Sequence, residues 1–335
     1  MTGIKKLEKS NIVNFIKRKE NKKMYNFEKI KENQINCLEI KDKKLTIKTY
    51  DKFVECVLKV KIDGLSVFSS DCVIFLGPKQ TKALKELFKA KGTLEITDKQ
   101  LIAKTSLGTY RTQYIKEELN PDIIEDGKEL NVDISKLKNA VKFCDKVGKK
   151  PILTGVHIEA NKIIATDGFK LYHSYNDDKE ANLTIPSQFL ELIENDMTLE
   201  YTSTSVIAKN EIITIVGKLL EGNYPNVDKL IGDSIVPNDT INIESLKEFS
   251  NFAKNIGSEV LSIKEDKIIA RTKENSLEKE YKSNYSISFA INNLSSILAL
   301  IDRKECDVNY TSETKPITFF NYNEKYILIP CRVGE

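Results

Sequence analysis

Residues 151–175, PILTGVHIEANKIIATDGFKLYHSY, hold the chain's two histidines, His157 and His173, and place Asp167 in a Thr-Asp-Gly turn. Residues of these types at this spacing suggest three kinds of chemistry. The first is acid–base catalysis. A general base needs a nucleophile or metal within reach and a third group to orient it. His173 stands six residues beyond Asp167 and is followed by Ser174, but nothing in the pattern marks an orienting group. The stretch is therefore expected to be a structural turn, with Gly168 supplying a positive φ, flanked by ordinary surface histidines. The second is phosphate binding, but ATDG and GKKP lack the glycine spacing of a P-loop or dinucleotide fingerprint. The third is a surface that holds something apolar. Leu153 and Gly155 precede one strand, and Thr166, Gly168 and Leu171 bracket the turn, so that small residues beside leucines would leave apolar surface facing a cavity. The six cysteines (Cys37, Cys56, Cys72, Cys144, Cys306, Cys331) are scattered without a CxxC and the histidines are only two, so no zinc site is expected.

The elements that must position these residues follow one layout three times. VIFLGPKQTKALKELFKAKGTLEITDKQLIAKTSLGTYRTQYI, LTIPSQFLELIENDMTLEYTSTSVIAKNEIITIVGKLL and SISFAINNLSSILALIDRKECDVNYTSETKPITFFNYNEKYILIP each read as a strand, a short amphipathic helix and two or three alternating strands. The helices start near Pro78, Pro186 and Ile291, a period far longer than a solenoid repeat. Ahead of two of these blocks, DISKLKNAVKFCDKVG and NIESLKEFSNFAKNIG open with a serine expected at the N-cap and end at glycine. SNIVNFIKRKENKK is a poorer counterpart in the first segment. The strand pairs CLEIKDKKLTIKTY, HIEANKIIATD and LSIKEDKIIARTK turn over short DKK, ANK and EDK tips that suit hairpins. The expectation is an α+β chain of three tandem similar domains, each with two helices packed on antiparallel sheets: 1–125, 126–239 and 240–335. The linkers fall near NPDIIEDGKE and GDSIVPNDT.

Composition bounds the class. The chain has 335 residues, 40% apolar and 30% charged, which is ordinary for a globular protein. No run of apolar residues is long enough to span a membrane, and the N-terminus has no apolar core or cleavage site of a signal peptide, so a cytoplasmic, reducing compartment is expected. The net charge of +3 conceals an asymmetry: residues 1–125 hold 26 basic and 17 acidic side chains, residues 126–239 hold 13 and 18, and residues 240–335 hold 13 and 14. A basic first third fits a polyanion-facing surface or an equally plain lysine-rich exterior.

Four stretches then fall in a telling order: Leu153-Thr154-Gly155, Ala165-Thr166-Asp167-Gly168-Phe169-Lys170-Leu171, Gly222-Asn223-Tyr224-Pro225 and Ile329-Pro330-Cys331-Arg332-Val333. In this order, inside a threefold repeat, the chain resembles the bacterial DNA polymerase III β subunit, the sliding clamp. That family commonly shows L-x-G, ATDG-[HF]-R-L, G-x-[FY]-P and a terminal M-P-x-R stretch. The middle and last segments match in motif, the first in layout alone. Ile329 and Cys331 replace methionines frequent in that tail, and a stiffer Ile329 would narrow the range of partners. Ala290 and Asn293 stand where the family often has Asn and Tyr.

The resemblance implies a DNA clamp fold, a head-to-tail homodimeric ring around duplex DNA, no enzymatic activity, and a groove for short peptides of the replicative polymerase, the clamp loader and repair proteins. Carried over residue by residue, the deep subsite would be Leu153, Gly155, Thr166, Gly168, Phe169, Lys170, Leu171, Pro225, Leu230, Ile327 and Ile329, and a shallower one would add Thr314, Pro330, Cys331 and Arg332. Leu171 and Ile327 are the members most readily explained as core. The lysine rows Lys138, Lys142, Lys146 and Lys79, Lys82, Lys85, Lys89 would face DNA, together with Lys17, Arg18, Lys22, Lys23 and the loop Lys149-Lys150. The plain alternative for each row is a solvated helix face. Leu107 and Tyr110 are the dimer-interface candidates, opposite Lys254 and Asn255, where apolar residues are common in the family. A second reading keeps the groove but not the ring: a clamp-like peptide-binding adaptor or decoy.

Overall fold

The computed structural model describes residues 36–41, 44–50, 55–60, 67–68, 72–77, 79–80, 82–83, 92–97, 99–105, 108–114, 127–148, 150–210, 213–232, 234–264 and 266–331. They form two compact units. One takes 1–127, 196–198 and 207–217, and the other takes 128–195, 199–206 and 218–335. Among the described residues no helix is long and apolar enough to cross a membrane.

The strands, in chain order, are β1 (Asn36–Lys41), β2 (Lys44–Tyr50), β3 (Glu55–Val60), β4 (Val67–Phe68), β5 (Cys72–Leu76), β6 (Gly92–Ile96), β7 (Leu101–Thr105) and β8 (Gly108–Thr112). They continue with β9 (Lys128–Glu129), β10 (Gly155–Glu159), β11 (Lys162–Thr166), β12 (Lys170–Tyr175), β13 (Asn182–Pro186), β14 (Thr198–Tyr201), β15 (Ser205–Lys209) and β16 (Ile213–Lys218). The last are β17 (Asp239–Asn242), β18 (Val260–Lys264), β19 (Lys267–Arg271), β20 (Ser276–Glu280), β21 (Ile287–Ala290), β22 (Glu305–Asn309), β23 (Ile317–Asn321) and β24 (Glu324–Leu328). The helices are α1 (Ile134–Val141), α2 (Ser187–Leu192), α3 (Asp228–Ile231), α4 (Ile243–Asn255) and α5 (Ile291–Leu298).

In the first unit one sheet runs β5-β1-β2-β3-β16 and a smaller one runs β4-β6-β7-β8, with β8 at its edge. Residues 79, 80, 82 and 83 are helical between β5 and β6. The second unit is built on an eight-stranded sheet, β13-β10-β11-β12-β24-β23-β22-β17, with a four-stranded sheet β20-β19-β18-β21 beside it. Its central seam is the antiparallel pairing of β12 with β24, in which Leu171 faces Ile327. That seam binds the ATDGFKL stretch to the C-terminal YILIP stretch.

The expected hairpins are present. Lys41 faces Lys44, Glu159 faces Lys162 and Lys264 faces Lys267. Ala160 and Asp266 adopt positive φ (50° and 63°) at these tips, as two-residue turns demand. Helix α5 buries Ile291, Leu294, Ile297 and Leu298, a helical spacing that packs against α4 and β24. Helix α4 likewise buries Ile243, Leu246, Phe249 and Ala253.

Two details differ from the sequence expectation. The N-caps of α1 and α4 are Asp133 and Asn242, whose side chains accept the Ser135 and Ser245 amides (2.8 Å each), so the serines lie inside the first turn. A side-chain oxygen in an extended residue just ahead of the helix reaches those amides, and this is the capping geometry. The second difference is length: α1 ends at Val141, and turns and bends carry the chain from Lys142 to Gly148. Lys138, Lys142 and Lys146 therefore do not form a row on one helix.

Candidate functional site

The Thr166–Lys170 turn is a closed hydrogen-bond unit. Asp167 Oδ1 accepts the Phe169 and Lys170 amides (2.9 Å each), and Lys170 Nζ donates to Asp167 Oδ2 (2.6 Å). Thr166 Oγ1 accepts the Gly168 amide (3.0 Å) and donates to the Lys170 carbonyl (2.7 Å). Gly168 takes φ +92°, a conformation that suits glycine. Asp167 is thus occupied in shaping its own turn, in agreement with the structural reading.

The histidines depart from expectation, because both are buried. His157 Nδ1 lies 3.0 Å from Thr184 Oγ1, and its ring stacks on Tyr224 at 4.6 Å with a 4° interplanar angle. Desolvation pushes its pKa below the ordinary value, against the pull of Glu159, whose Oε2 is 3.8 Å from Nε2. His173 packs edge-on to Tyr175 at 4.7 Å. Strand β12 is covered on both faces, with Lys170 through Ser174 all buried. Among the described residues no group of three or more His, Cys, Asp or Glu could hold a metal ion.

Three of the motif stretches meet in the second unit, and the fourth, Leu153-Thr154-Gly155, lies beside the chain that leads into GNYP. Leu171 of β12, Ile327 of β24 and Ile164 of β11 form a buried apolar cluster with Val227 and Ile231, and Tyr224 and Leu230 pack against it half-buried. Tyr224 also reaches the turn, its hydroxyl accepting the Thr166 amide at 3.0 Å. Beyond β24 the Ile329 amide donates to the Phe169 carbonyl (2.9 Å), and the Cys331 amide donates to the Ser288 carbonyl (2.9 Å). Gly155 begins β10 with an ordinary φ, but a Cβ there would lie 2.6 Å from the Ile185 carbonyl oxygen and 2.7 Å from Leu220 Cδ1. Its small size allows the close approach of the chain that leads into Gly222 and Tyr224.

The candidate residues divide by exposure. Leu153, Gly155, Thr166, Lys170, Leu171 and Ile327 are buried; Leu171 and Ile327 belong to the apolar cluster, whereas Lys170 turns to the opposite face of β12, its Nζ 5.9 Å from the centroid of the Phe143 ring. Phe169 (63% exposed), Ile329 (42% exposed), Gly168 and Pro225 are open to solvent, while Leu230, Pro330 and Cys331 are half-buried. Thr314 lies in the exposed turn before β23, at the end where Ile317 faces Leu328 and the tail leaves the sheet. Arg332 lies outside the described residues. Tyr224 was quoted in a motif but not assigned to the groove, and Ile164, Val227 and Ile231 were not singled out from sequence, although Val227 and Ile231 show the i, i+4 spacing of one helix face.

Of the DNA-facing candidates, Lys142, Lys146, Lys150, Lys79 and Lys82 are exposed. Lys138 is half-buried, 3.8 Å from Glu194 after α2. Lys17, Arg18, Lys22, Lys23, Lys85, Lys89 and Lys149 lie outside the described residues, as does Leu107. Tyr110 sits half-buried on edge strand β8, facing Ala103. On α4, Phe252 is 55% exposed and stands one turn before Asn255, so an apolar side chain is exposed beside that candidate position.

The fold is that of the DNA clamps. A putative DNA polymerase III β subunit from Eubacterium rectale superposes with a TM-score of 0.76 at 14% identity, covering 92% of this chain and 95% of that one. The Thermotoga maritima β subunit gives 0.75 at 16% identity, over 92% and 96%. The Helicobacter pylori beta clamp bound to a DNA ligase peptide gives 0.73 at 15% identity, over 92% and 96%. In sequence, the beta sliding clamp of Streptococcus pneumoniae is 24% identical over 200 residues, 50% of this chain and 53% of that protein. The Lactococcus lactis beta sliding clamp is 24% identical over 166 residues, 42% and 43%. The chain thus spans about half the length of the curated relatives it matches. No family model matches. In fold the chain is a DNA clamp, and over about half its length its sequence is similar to the bacterial beta sliding clamps.

Proposed function

We propose that the chain is a sliding clamp, a non-enzymatic processivity factor that encircles duplex DNA in the cytoplasm and tethers a replicative polymerase. The observation that carries this reading is the meeting of the ATDGFKL, GNYP and YILIP stretches around the Leu171–Ile327 seam, with Gly155 against Leu220 just ahead of GNYP. An apolar floor, an exposed Phe169 and Ile329 at its margin and a few polar groups suit the Leu and Phe anchors of a short peptide. The groove of this reading takes Leu153, Gly155, Thr166, Gly168, Phe169, Lys170, Leu171, Pro225, Leu230, Ile327 and Ile329, with Thr314, Pro330, Cys331 and Arg332 at its shallow end. The Helicobacter pylori relative was solved with a DNA ligase peptide, which supports peptides of that kind as partners; the polymerase and the clamp loader are the further partners of this reading.

The ring of this reading is a homodimer of three similar segments per chain, 1–125, 126–239 and 240–335. Its exposed lysines contact phosphates without regard to sequence, and topology retains it on DNA. Closure joins the β8 edge with Tyr110 to the region of Phe252 and edge strand β20 in a second copy. The clamp loader supplies ATP chemistry, and this chain needs no cofactor.

The groove is tested by fluorescence anisotropy with a labelled DNA ligase peptide of the kind bound by the Helicobacter pylori clamp. Binding is expected to be saturable and lost in Phe169→Asp and Ile329→Asp, both exposed positions that tolerate a charge in the free fold. No binding by the unaltered chain, or equal binding by both variants, overturns the peptide-binding reading.

A further inference from the structure

The wall over the apolar floor is fastened by residues outside the groove assignment. This wall runs from Tyr224 to Gly232, includes helix α3 and carries Pro225 and Leu230. Helix α3 has four residues and cannot sustain itself without tertiary contacts. Beneath it, Val227 and Ile231 bury against Ile164, Leu171 and Ile327. Three polar contacts then tie it to the sheet. The Tyr224 hydroxyl accepts the Thr166 amide (3.0 Å), Lys162 Nζ meets Asp228 Oδ1 (2.7 Å) at the helix start, and Lys325 Nζ donates to the Ile231 (3.1 Å) and Gly232 (3.4 Å) carbonyls at its end.

The three ties are unequal. The Asp228 side chain is 60% exposed, and ion pairs in water contribute little. Tyr224 is part of the apolar packing as much as of the hydrogen bonding. Lys325 places a full charge at the negative end of α3, on the Ile231 carbonyl and on a Gly232 carbonyl that also receives the Ile235 amide. Its stem is held in place: Lys325 faces Phe320 across the β23–β24 pair, with Nζ 5.9 Å from that ring's centroid. Lys325 and Ile327 are two residues apart on β24 and so share a face. One strand therefore carries both the floor of the groove and the tether of its wall.

We propose that Lys325 is a positioning residue for peptide binding: it fixes α3 over Leu171 and Ile327 and thereby sets the height of Leu230 above the floor. The proposal rests on the peptide-binding reading above. The test titrates the full chain with the same labelled DNA ligase peptide, comparing Lys325→Met, Lys325→Arg and Phe169→Asp, with thermal unfolding of each. Lys325→Met keeps the stem and removes the charge. It is expected to weaken affinity roughly tenfold, and Lys325→Arg to recover most of that loss, because either cation serves the helix end. Unchanged affinity in Lys325→Met, with binding still lost in Phe169→Asp, overturns the inference and leaves the groove standing. Equal weakening in the Met and Arg variants, in step with lowered melting, also overturns it, since a general loss of packing then accounts for the effect. No binding by the unaltered chain removes the groove reading and this inference together.

Discussion

Gly155 and Gly168 are both glycines of the quoted motifs, but they answer to different physics. At Gly155 the backbone is ordinary and space is the constraint: a methyl would lie 2.6 Å from the Ile185 carbonyl oxygen, which belongs to the sheet and cannot swing away. Gly155→Ala is expected to destabilise the chain by about 1–3 kcal/mol, read as a lowered urea midpoint. At Gly168 a methyl meets nothing within 4 Å, but φ is +92°, and alanine there is expected to cost roughly 1–2 kcal/mol through backbone strain. His157 adds a pH dependence. Burial holds its imidazole below the ordinary 6.5, so the unfolded chain takes up a proton that the folded chain refuses. Its contribution is complete above that value and is lost as pH falls through the folded one. The denaturation midpoint is expected to fall between about pH 7 and pH 5, and His157→Phe, which preserves the ring stack on Tyr224, to flatten that fall. An unchanged slope in the variant would assign the effect to other groups.

At the scale of elements, local signals carried far. The tips at Ala160-Asn161 and before Lys267, the strand–helix–strand blocks and the apolar spacing of α4 and α5 are written in nearest-neighbour chemistry, and they appear where the pattern put them. Errors arose where two local choices compete. Both Asp133 and Ser135 can cap, and the aspartate, one position outside the helix, does so. Asn242 plays the same part for α4, and Asn242→Ala is expected to cost about 1 kcal/mol in urea unfolding, with Asn242→Asp close to neutral. The seam of β12 with β24 was beyond periodicity, because its partners lie some 150 positions apart and neither strand's pattern names the other. The four short motifs assigned both stretches to one groove through the family resemblance alone, and they named no strand pairing. Burial of His157 and His173 was missed for a related reason: a strand covered on both faces loses the alternation that marks an exposed side.

At the scale of the whole molecule, the clamp reading requires a second copy and a hole wide enough for duplex DNA. Sedimentation at micromolar concentration is expected to give twice the 38.1 kDa of one chain, and Tyr110→Asp with Phe252→Asp to return it to the mass of one. A monomer in the unaltered chain would favour the adaptor reading, in which the groove persists without a ring. The most direct measurement places the protein on a nicked DNA circle with a bacterial clamp loader and ATP, raises the salt, and then cuts the circle once. Retention on the circle through high salt, followed by release on linearisation, is the predicted result. Equal retention on linear and circular DNA, or loss from the circle as salt rises, would contradict a topological hold on the double strand.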